Sequence, residues 1–352
     1  MTGPADVSGP ADVTGPADMS GPADLSDVGR PSAPAALPAA QEDLAALLRA
    51  AAARLAAAGV ASPRADAEQL AAHVLGLSRG ELLAASCRGH VLPAGPARTF
   101  AELIAVRAQR VPLQHLTGRA PFRELLLRVG PGVFVPRPET ELAAQLAVDE
   151  AARLAALPRP AGLPGPLVVD LCTGSGAIAL AVATEVPQVR VVAVELEEDA
   201  HAWAQANLAE LDPQAAARVR LLRGDAVDAH RGVLADLAGQ VDVVVANPPY
   251  IPARAVPVDP EVAEHDPRQA LYGGGEDGLD VPRGVIRAAA GLLVPGGLLV
   301  MEHADTQGPS TRALAAGPVW EGARTVEDLT GRPRVLVARR AGAAGRGARR
   351  DG

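Results

Sequence analysis

The chain has no lysine: all 33 basic residues among its 352 are arginine. We read this as compositional bias rather than a binding signal, because a formal net charge of −8 disfavours a surface built to grip phosphate backbones. Aromatic residues are almost as scarce. Two tryptophans, two tyrosines and three phenylalanines are too few to build a stacking face for single strands. Only two cysteines occur, Cys87 and Cys172, which excludes a disulfide framework and points to a reducing compartment. Cys87 and His90 make a C-x-x-H pair with no second pair at matching spacing, so no metal is expected. His90, His115, His265 and His303 are read as polar packing and assigned no role. No apolar run approaches the roughly 18 residues of a membrane helix, and the first residues lack the order of a secretory signal. The expectation is a cytoplasmic monomer with no membrane partner and no stable nucleic-acid partner.

What is present is strongly segmented. Residues 3–26 repeat a six-residue unit four times ("GPADVS", "GPADVT", "GPADMS", "GPADLS"), which offers too little apolar surface to offset the entropy of ordering. Residues 1–41 are therefore expected to be a disordered tail, as is the basic stretch 341–352. From 42 to 110 the pattern is helical. "EDLAALLRAAAARLAAAGV" sets Leu44, Leu47, Leu48 and Leu55 on one face and stops at a glycine, and "SPRADAEQLAAHVLGL" starts with Ser62 as N-cap and Pro63 in the first turn. A small all-helical domain is expected there, followed over 111–140 by a linker with a β-hairpin, its strands flanking Gly130-Pro131-Gly132.

Over 141–340 strand and helix alternate. Strands are predicted at 167–171, 189–195, 219–222, 241–246 and 298–302, with "RVLVARR" as an antiparallel edge. Such alternation specifies an α/β, Rossmann-like, mostly parallel sheet with helices on both faces, and ligands bind beyond the carboxyl ends of its strands.

The chemistry-bearing motifs fall at those ends. "VVDLCTGSGAIALA" sets Gly174 and Gly176 between the first strand and a helix. With Ala179 they fit a dinucleotide fingerprint, and Glu195 closes the second strand where a carboxylate takes ribose hydroxyls. Loop and acid indicate a nucleoside cofactor without saying which. Asp170 bears on the choice, since a pyrophosphate would meet its negative charge in a partly desolvated cleft. S-adenosylmethionine, cationic and free of phosphate, suits that position. Asp225, just past the third strand, then suits the adenine amine, with Ala226 beside the ring; Asp225 read as a helix N-cap stays open.

Asn247-Pro248-Pro249-Tyr250 ends the fourth strand. A planar amide or exocyclic nitrogen is a poor nucleophile because its lone pair is delocalised. Two acceptors aimed at its N–H groups, the Asn247 side-chain oxygen and the Pro248 carbonyl, can orient it and favour pyramidalisation. The prolines hold that carbonyl in place, and Tyr250 can stack on the planar group. No strong base is needed, because the proton lost after methylation is acidic enough to pass to water. A methyltransferase acting on a planar nitrogen follows.

These residues resemble the HemK or PrmC type of release-factor glutamine methyltransferase. The resemblance runs from near residue 42 to about Arg340 and is carried by "PLQHLTGRAPF", "GVFVPRPETE", "DLCTGSGAIALA", "NPPYIP", "GGGEDGLD", "VPGGLLVMEHADTQ" and "DLTGRPRVLVAR". It implies a class I fold and a substrate, the glutamine of the Gly-Gly-Gln motif in class 1 peptide chain release factors. Carried over by position, it also implies that Cys172, Thr173, Gly174, Ser175 and Gly176 wrap the cofactor, Glu195 holds its ribose and Asp225 with Ala226 meets the adenine. Asn247, Pro248, Pro249 and Tyr250 would bind the glutamine, residues 136–140 would cover the methionine end, and the helical domain would help grip the release factor. Cys172 departs from the glycine of many members, which implies a slightly tighter loop. A DNA or RNA amino-methyltransferase is the alternative, since such enzymes also hold a flipped base with this tetrapeptide. The intact loop, acid and tetrapeptide argue against a catalytically dead cofactor-binding module.

Overall fold

Leucine at helical spacing produces the first layer of the computed structural model, which describes residues 43–158 and 164–342. Helices α1 (Leu44–Ala57), α2 (Pro63–Leu75), α3 (Arg79–Cys87), α4 (Ala94–Arg107) and α5 (Leu113–Thr117) share one core. Leu44, Leu48 and Leu55 are fully buried in it, while Leu47 packs at its margin. Full burial of each such side chain contributes about 1.5–3 kcal/mol. Ser62 makes no side-chain cap, leaving Pro63 to start α2, whereas Ser78 and Glu81 form a reciprocal capping box on α3. The expected tail 1–41 lies outside the described residues, as does the stretch 343–352.

The hairpin lies upstream of its expected place. Strands β1 (Arg119–Phe122) and β2 (Leu125–Arg128) pair antiparallel through a turn at Arg123-Glu124, not around Gly130-Pro131-Gly132. Arg123 takes a left-handed φ of 52° that glycine would normally supply. Its backbone N–H donates to Glu141 Oε1 at 3.0 Å and its guanidinium grips Glu185 at 2.6 Å, which hold the conformation. The two glycines serve close packing instead. A Cβ on Gly130 would lie 2.6 Å from the Trp203 ring, and Trp203 Nε1 donates to the Pro131 carbonyl at 3.1 Å.

Seven strands form the main sheet: β3 (Leu167–Leu171), β4 (Arg190–Glu195), β5 (Val219–Arg223), β6 (Val241–Ala246), β7 (Leu293–Glu302), β8 (Trp320–Glu327) and β9 (Pro333–Arg340). Their order is β5-β4-β3-β6-β7-β9-β8, with β3 to β7 parallel and β9 and β8 joined antiparallel at one edge. The intervening helices are α6 (Glu141–Ala155), α7 (Ala177–Glu185), α8 (Glu198–Glu210), α9 (Pro213–Ala216), α10 (Pro260–His265), α11 (Arg268–Leu271), α12 (Asp280–Leu292) and α13 (Gly308–Leu314). Alternate residues of the central strands enter two cores: Val168, Val243 and Val245 face α6 and α7, while Val169, Val244 and Leu299 face α12. Burial on both faces explains why these strands read as unbroken apolar runs.

Two strand limits differ from expectation. β7 begins at Leu293 because "VPGG" is accommodated as a register shift between the pairs Val241–Leu293 and Val243–Leu298. β8 was not expected; Gly322 interrupts its pattern and only Trp320 is buried, as suits an edge strand. Among the described residues, no helix is long and apolar enough to cross a membrane.

Candidate active site

β3 has β4 on one side and β6 on the other, so the order of connection reverses there and a crevice opens beyond the strand ends. A cavity of about 610 Å³ fills it.

The glycine loop forms one wall. Cys172, Gly174 and Gly176 adopt φ values of 62°, 58° and 86°, turning the chain sharply from β3 into α7. Asn207 Nδ2 holds the Ser175 carbonyl at 2.9 Å, and Thr173 N–H donates to the Val194 carbonyl at 3.1 Å. Asp170 lies beneath the loop rather than on the cavity wall. Its Oδ2 accepts from the Thr173 hydroxyl at 2.6 Å and from Ala179 N–H at 3.1 Å. Burial pushes its carboxyl up to about 7, against those two bonds. Oδ1 has no partner.

Glu195 ends β4 and ties the loop to it. Oε2 accepts from Gly174 N–H at 2.8 Å, and Oε1 accepts from the N–H groups of Leu196 and Glu197, both at 2.9 Å. Asp225 is exposed at the rim and accepts from Val227 N–H at 2.8 Å, a local turn; no helix starts there, so it is not an N-cap. Ala226 beside it is buried.

The opposite wall is the tetrapeptide. Asn247 Nδ2 donates one of its two N–H groups to Thr140 Oγ1 at 3.1 Å, which leaves Oδ1 as its acceptor on the cavity wall. Pro249 and Tyr250 line the cavity, while Pro248 is buried behind it. Burial pushes the Tyr250 phenol up, and its hydroxyl donates to Glu302 Oε1 at 3.2 Å. Glu302, 3% exposed, closes β7; burial drives its carboxyl up to about 7.

Behind the tetrapeptide lies the loop 273–278. Gln307 Nε2 donates to the carbonyls of Tyr250 and Asp277, both at 2.9 Å, and the N–H groups of Tyr250 and Ile251 donate to the Leu271 carbonyl at 3.2 and 2.8 Å. Gly273 and Gly278 are required by contact, since a Cβ would meet the Pro249 carbonyl at 2.5 Å and the Tyr250 carbonyl at 2.3 Å respectively.

Ten residues expected to form the site line this one cavity, with residues 136–140 over it; Asp170, Gly176 and Pro248 support it from behind. Thr140 as partner of Asn247, Glu302 and Gln307 were not singled out by sequence. An acid ending a buried apolar strand was the available signal for Glu302.

The site suits a cationic nucleoside cofactor. Asp170 Oδ1 is buried and unpartnered, Glu195 and Asp225 edge the loop, and the lining arginines Arg137 and Arg334 are committed to Asp266 and Asp328. Sheet order, glycine loop and strand-end acid together define a class I methyltransferase that uses S-adenosylmethionine. Residues 46–118 match the family described as PrmC N-terminal domain, and residues 144–265 match the methyltransferase small domain. The chain is 50% identical over 291 residues to the release factor glutamine methyltransferase of Streptomyces coelicolor, covering 82% of this chain and 95% of that protein. It is 43% identical to the one from Bifidobacterium longum (83% and 98%) and 46% identical to the one from Mycolicibacterium smegmatis (83% and 96%). The chain belongs to the release factor glutamine methyltransferase family.

Proposed function

We propose that this protein methylates the side-chain amide nitrogen (N5) of the glutamine in the Gly-Gly-Gln motif of class 1 peptide chain release factors. The observation that carries the reading is Asn247: its Nδ2 is engaged by Thr140, so the amide offers an oxygen beside two prolines that have no N–H to donate.

In this reading, Cys172 to Gly176 wrap the cofactor, Glu195 takes its ribose hydroxyls, and Asp225 and Ala226 meet its adenine. S-adenosylmethionine, when bound, supplies an electrophilic methyl group on a sulfonium. Asn247 Oδ1 and the Pro248 carbonyl accept the two N–H groups of the glutamine amide, and Tyr250 packs on its plane. Held so, the amide nitrogen presents its lone pair to the reacting carbon; orientation of this kind is worth on the order of 7–11 kcal/mol. The proton displaced by methylation passes to water. We further assign residues 42–110 to a substrate-gripping helical domain, 111–140 to a linker, 141–340 to the catalytic domain, and the whole to a cytoplasmic monomer with no stable nucleic-acid or membrane partner.

The test is incubation with labelled S-adenosylmethionine and, separately, purified release factor, total tRNA and DNA. Label is expected on the glutamine peptide. Label on nucleic acid alone would establish the amino-methyltransferase alternative instead. Asn247→Ala should lower transfer by at least about 10²-fold, the loss expected for one preorganised polar partner, while cofactor affinity is retained.

A further inference from the structure

We propose that Arg334 is a substrate-binding residue that holds main-chain carbonyl oxygens of the Gly-Gly-Gln segment while Asn247 and Pro248 hold the side-chain amide. This rests on the substrate reading above and assigns the donor that the two prolines lack.

Arg334 is the second residue of β9 and lines the cavity. β9 is the second strand beyond β6, about 10 Å across the sheet from the tetrapeptide at the usual spacing, whereas the glycine loop and Glu195 lie on the other side, at β3 and β4. The turn that precedes β9 aims the side chain. Asp328 Oδ1 accepts from the N–H groups of Thr330 and Arg332 at 2.8 and 3.1 Å and from the Thr330 hydroxyl at 2.6 Å. Oδ2 is left for Arg334 Nε, at 3.1 Å. The backbone is fixed as well, since the His303 N–H donates to the Arg334 carbonyl at 2.9 Å. Asp328 thus balances the charge and occupies one of five guanidinium donors. The four N–H bonds of the two terminal nitrogens have no partner among the described residues. With the side chain 16% exposed and on the cavity wall, those donors are open to a ligand there.

The chemistry of the substrate selects what they hold. Because Asp328 already balances the guanidinium, a neutral acceptor suits the pair better than an anion. The glutamine side-chain carbonyl is the wrong acceptor: a donor on that oxygen would draw the nitrogen lone pair further into the carbonyl and oppose attack on the methyl group. The two glycines offer only peptide groups, and Pro248 and Pro249 have no N–H to give their carbonyls. A planar fork of donors two strands away meets that need, and glycine has no side chain to keep it at a distance. The other lining arginine, Arg137, lies over the Phe134 ring at 5.1 Å and pairs with Asp266; in the reading above it sits with residues 136–140 at the cofactor's methionine end.

The test measures binding of release factor to the full chain saturated with S-adenosylhomocysteine, using the motifs Gly-Gly-Gln and Gly-Gly-Ala, alongside steady-state methylation. Arg334→Met should weaken binding by about 10- to 100-fold, the scale of hydrogen bonds from a charged donor, and raise KM for release factor in step. kcat and the affinity for S-adenosylmethionine should stay within about threefold. The loss should be equal for both motifs, because a main-chain contact survives removal of the glutamine side chain. A loss that vanishes with Gly-Gly-Ala would put Arg334 on the side chain and overturn the proposal. Arg334→Lys keeps the charge but has a single nitrogen that cannot span Asp328 and the peptide, so it should bind nearly as weakly. Full affinity in that variant would show that charge alone acts and would also overturn the proposal. Asp328 keeps its three turn bonds in both variants, and unchanged melting temperatures check that the fold survives. Release factor that the wild type neither binds nor methylates would overturn the substrate reading itself; release factor bound equally well by the wild type and Arg334→Met would sink the arginine contact alone.

Discussion

Cys172 sits in left-handed backbone at φ 62°, a region where side chains beyond glycine are strained. A side chain at this position carries local strain that a glycine would not. A β-branched side chain worsens it: Cys172→Val should be about 1–3 kcal/mol less stable than Cys172→Gly, read from denaturant midpoints. The thiol itself is pushed up by burial and by the carboxylates of Glu195, Asp170 and Asp225. Iodoacetamide should therefore label the exposed Cys87 first, as peptide mass mapping would show. Asp170 gives a pH signature. Its carboxyl titrates near 7 in the folded protein against an ordinary 3.8, so the folded state binds the proton more tightly. Its contribution to stability is complete below about pH 4 and is lost as pH rises through about 7. The melting temperature of Asp170→Asn should fall less than that of the wild type between pH 5 and 8.

At the scale of elements, the loop 273–278 explains why "GGGEDG" accompanies "NPPY". Gly273 and Gly278 let its backbone press on the carbonyls of Pro249 and Tyr250. Gly278 is also left-handed at φ 75°, so Gly278→Ala combines strain with a clash and should both destabilise the fold by roughly 1–3 kcal/mol and reduce methyl transfer, checked by unfolding and by the release-factor assay. The five parallel strands were legible because burial on two faces leaves continuous runs of valine and leucine. β8 was not, since an edge strand with one buried residue carries no such run. The hairpin was placed too late because its turn uses Arg123 in place of glycine, and the anchors that permit this, Glu141 and Glu185, lie 18 and 62 residues away. The loop, Glu195 and the tetrapeptide were legible as motifs, whereas Thr140 and Glu302 join them only through contacts 107 and 52 residues apart in the chain.

Across the whole molecule, the helical layer reaches the site region through a chain of charges. Arg107 pairs with Asp66 at 2.8 Å and with Glu261 at 2.8 Å, and Arg110 holds both oxygens of Glu261 at 2.7 and 2.5 Å. Glu261 opens α10, the helix that follows the tetrapeptide, so α4 and the segment after it fix the far side of that loop. Burial opposes its charge, yet the bonds from Arg110 and Arg107 hold its carboxyl down at about 2. A depressed value means the attachment is complete above the ordinary carboxylate range and is lost as pH falls from about 4.5 toward 2. Glu261→Gln removes the negative charge that Arg110 and Arg107 share, leaving Arg107 its pair with Asp66, and should cost about 3 kcal/mol, seen as a lower melting temperature, and raise KM for release factor more than for cofactor. It is a cleaner probe than deleting residues 42–110, which would strand Glu261 as an unpaired charge.

The missing N–H groups of Pro248 and Pro249, with one Asn247 side-chain N–H engaged by Thr140, have a consequence for discrimination. At the two prolines the cavity wall offers carbonyl oxygens and no backbone N–H groups. A glutamate side chain, isosteric with glutamine but carrying only acceptors and a negative charge, would set lone pair against lone pair there. A release factor whose motif reads Gly-Gly-Glu should thus fail as a competitor of methylation, where one reading Gly-Gly-Asn would still compete weakly.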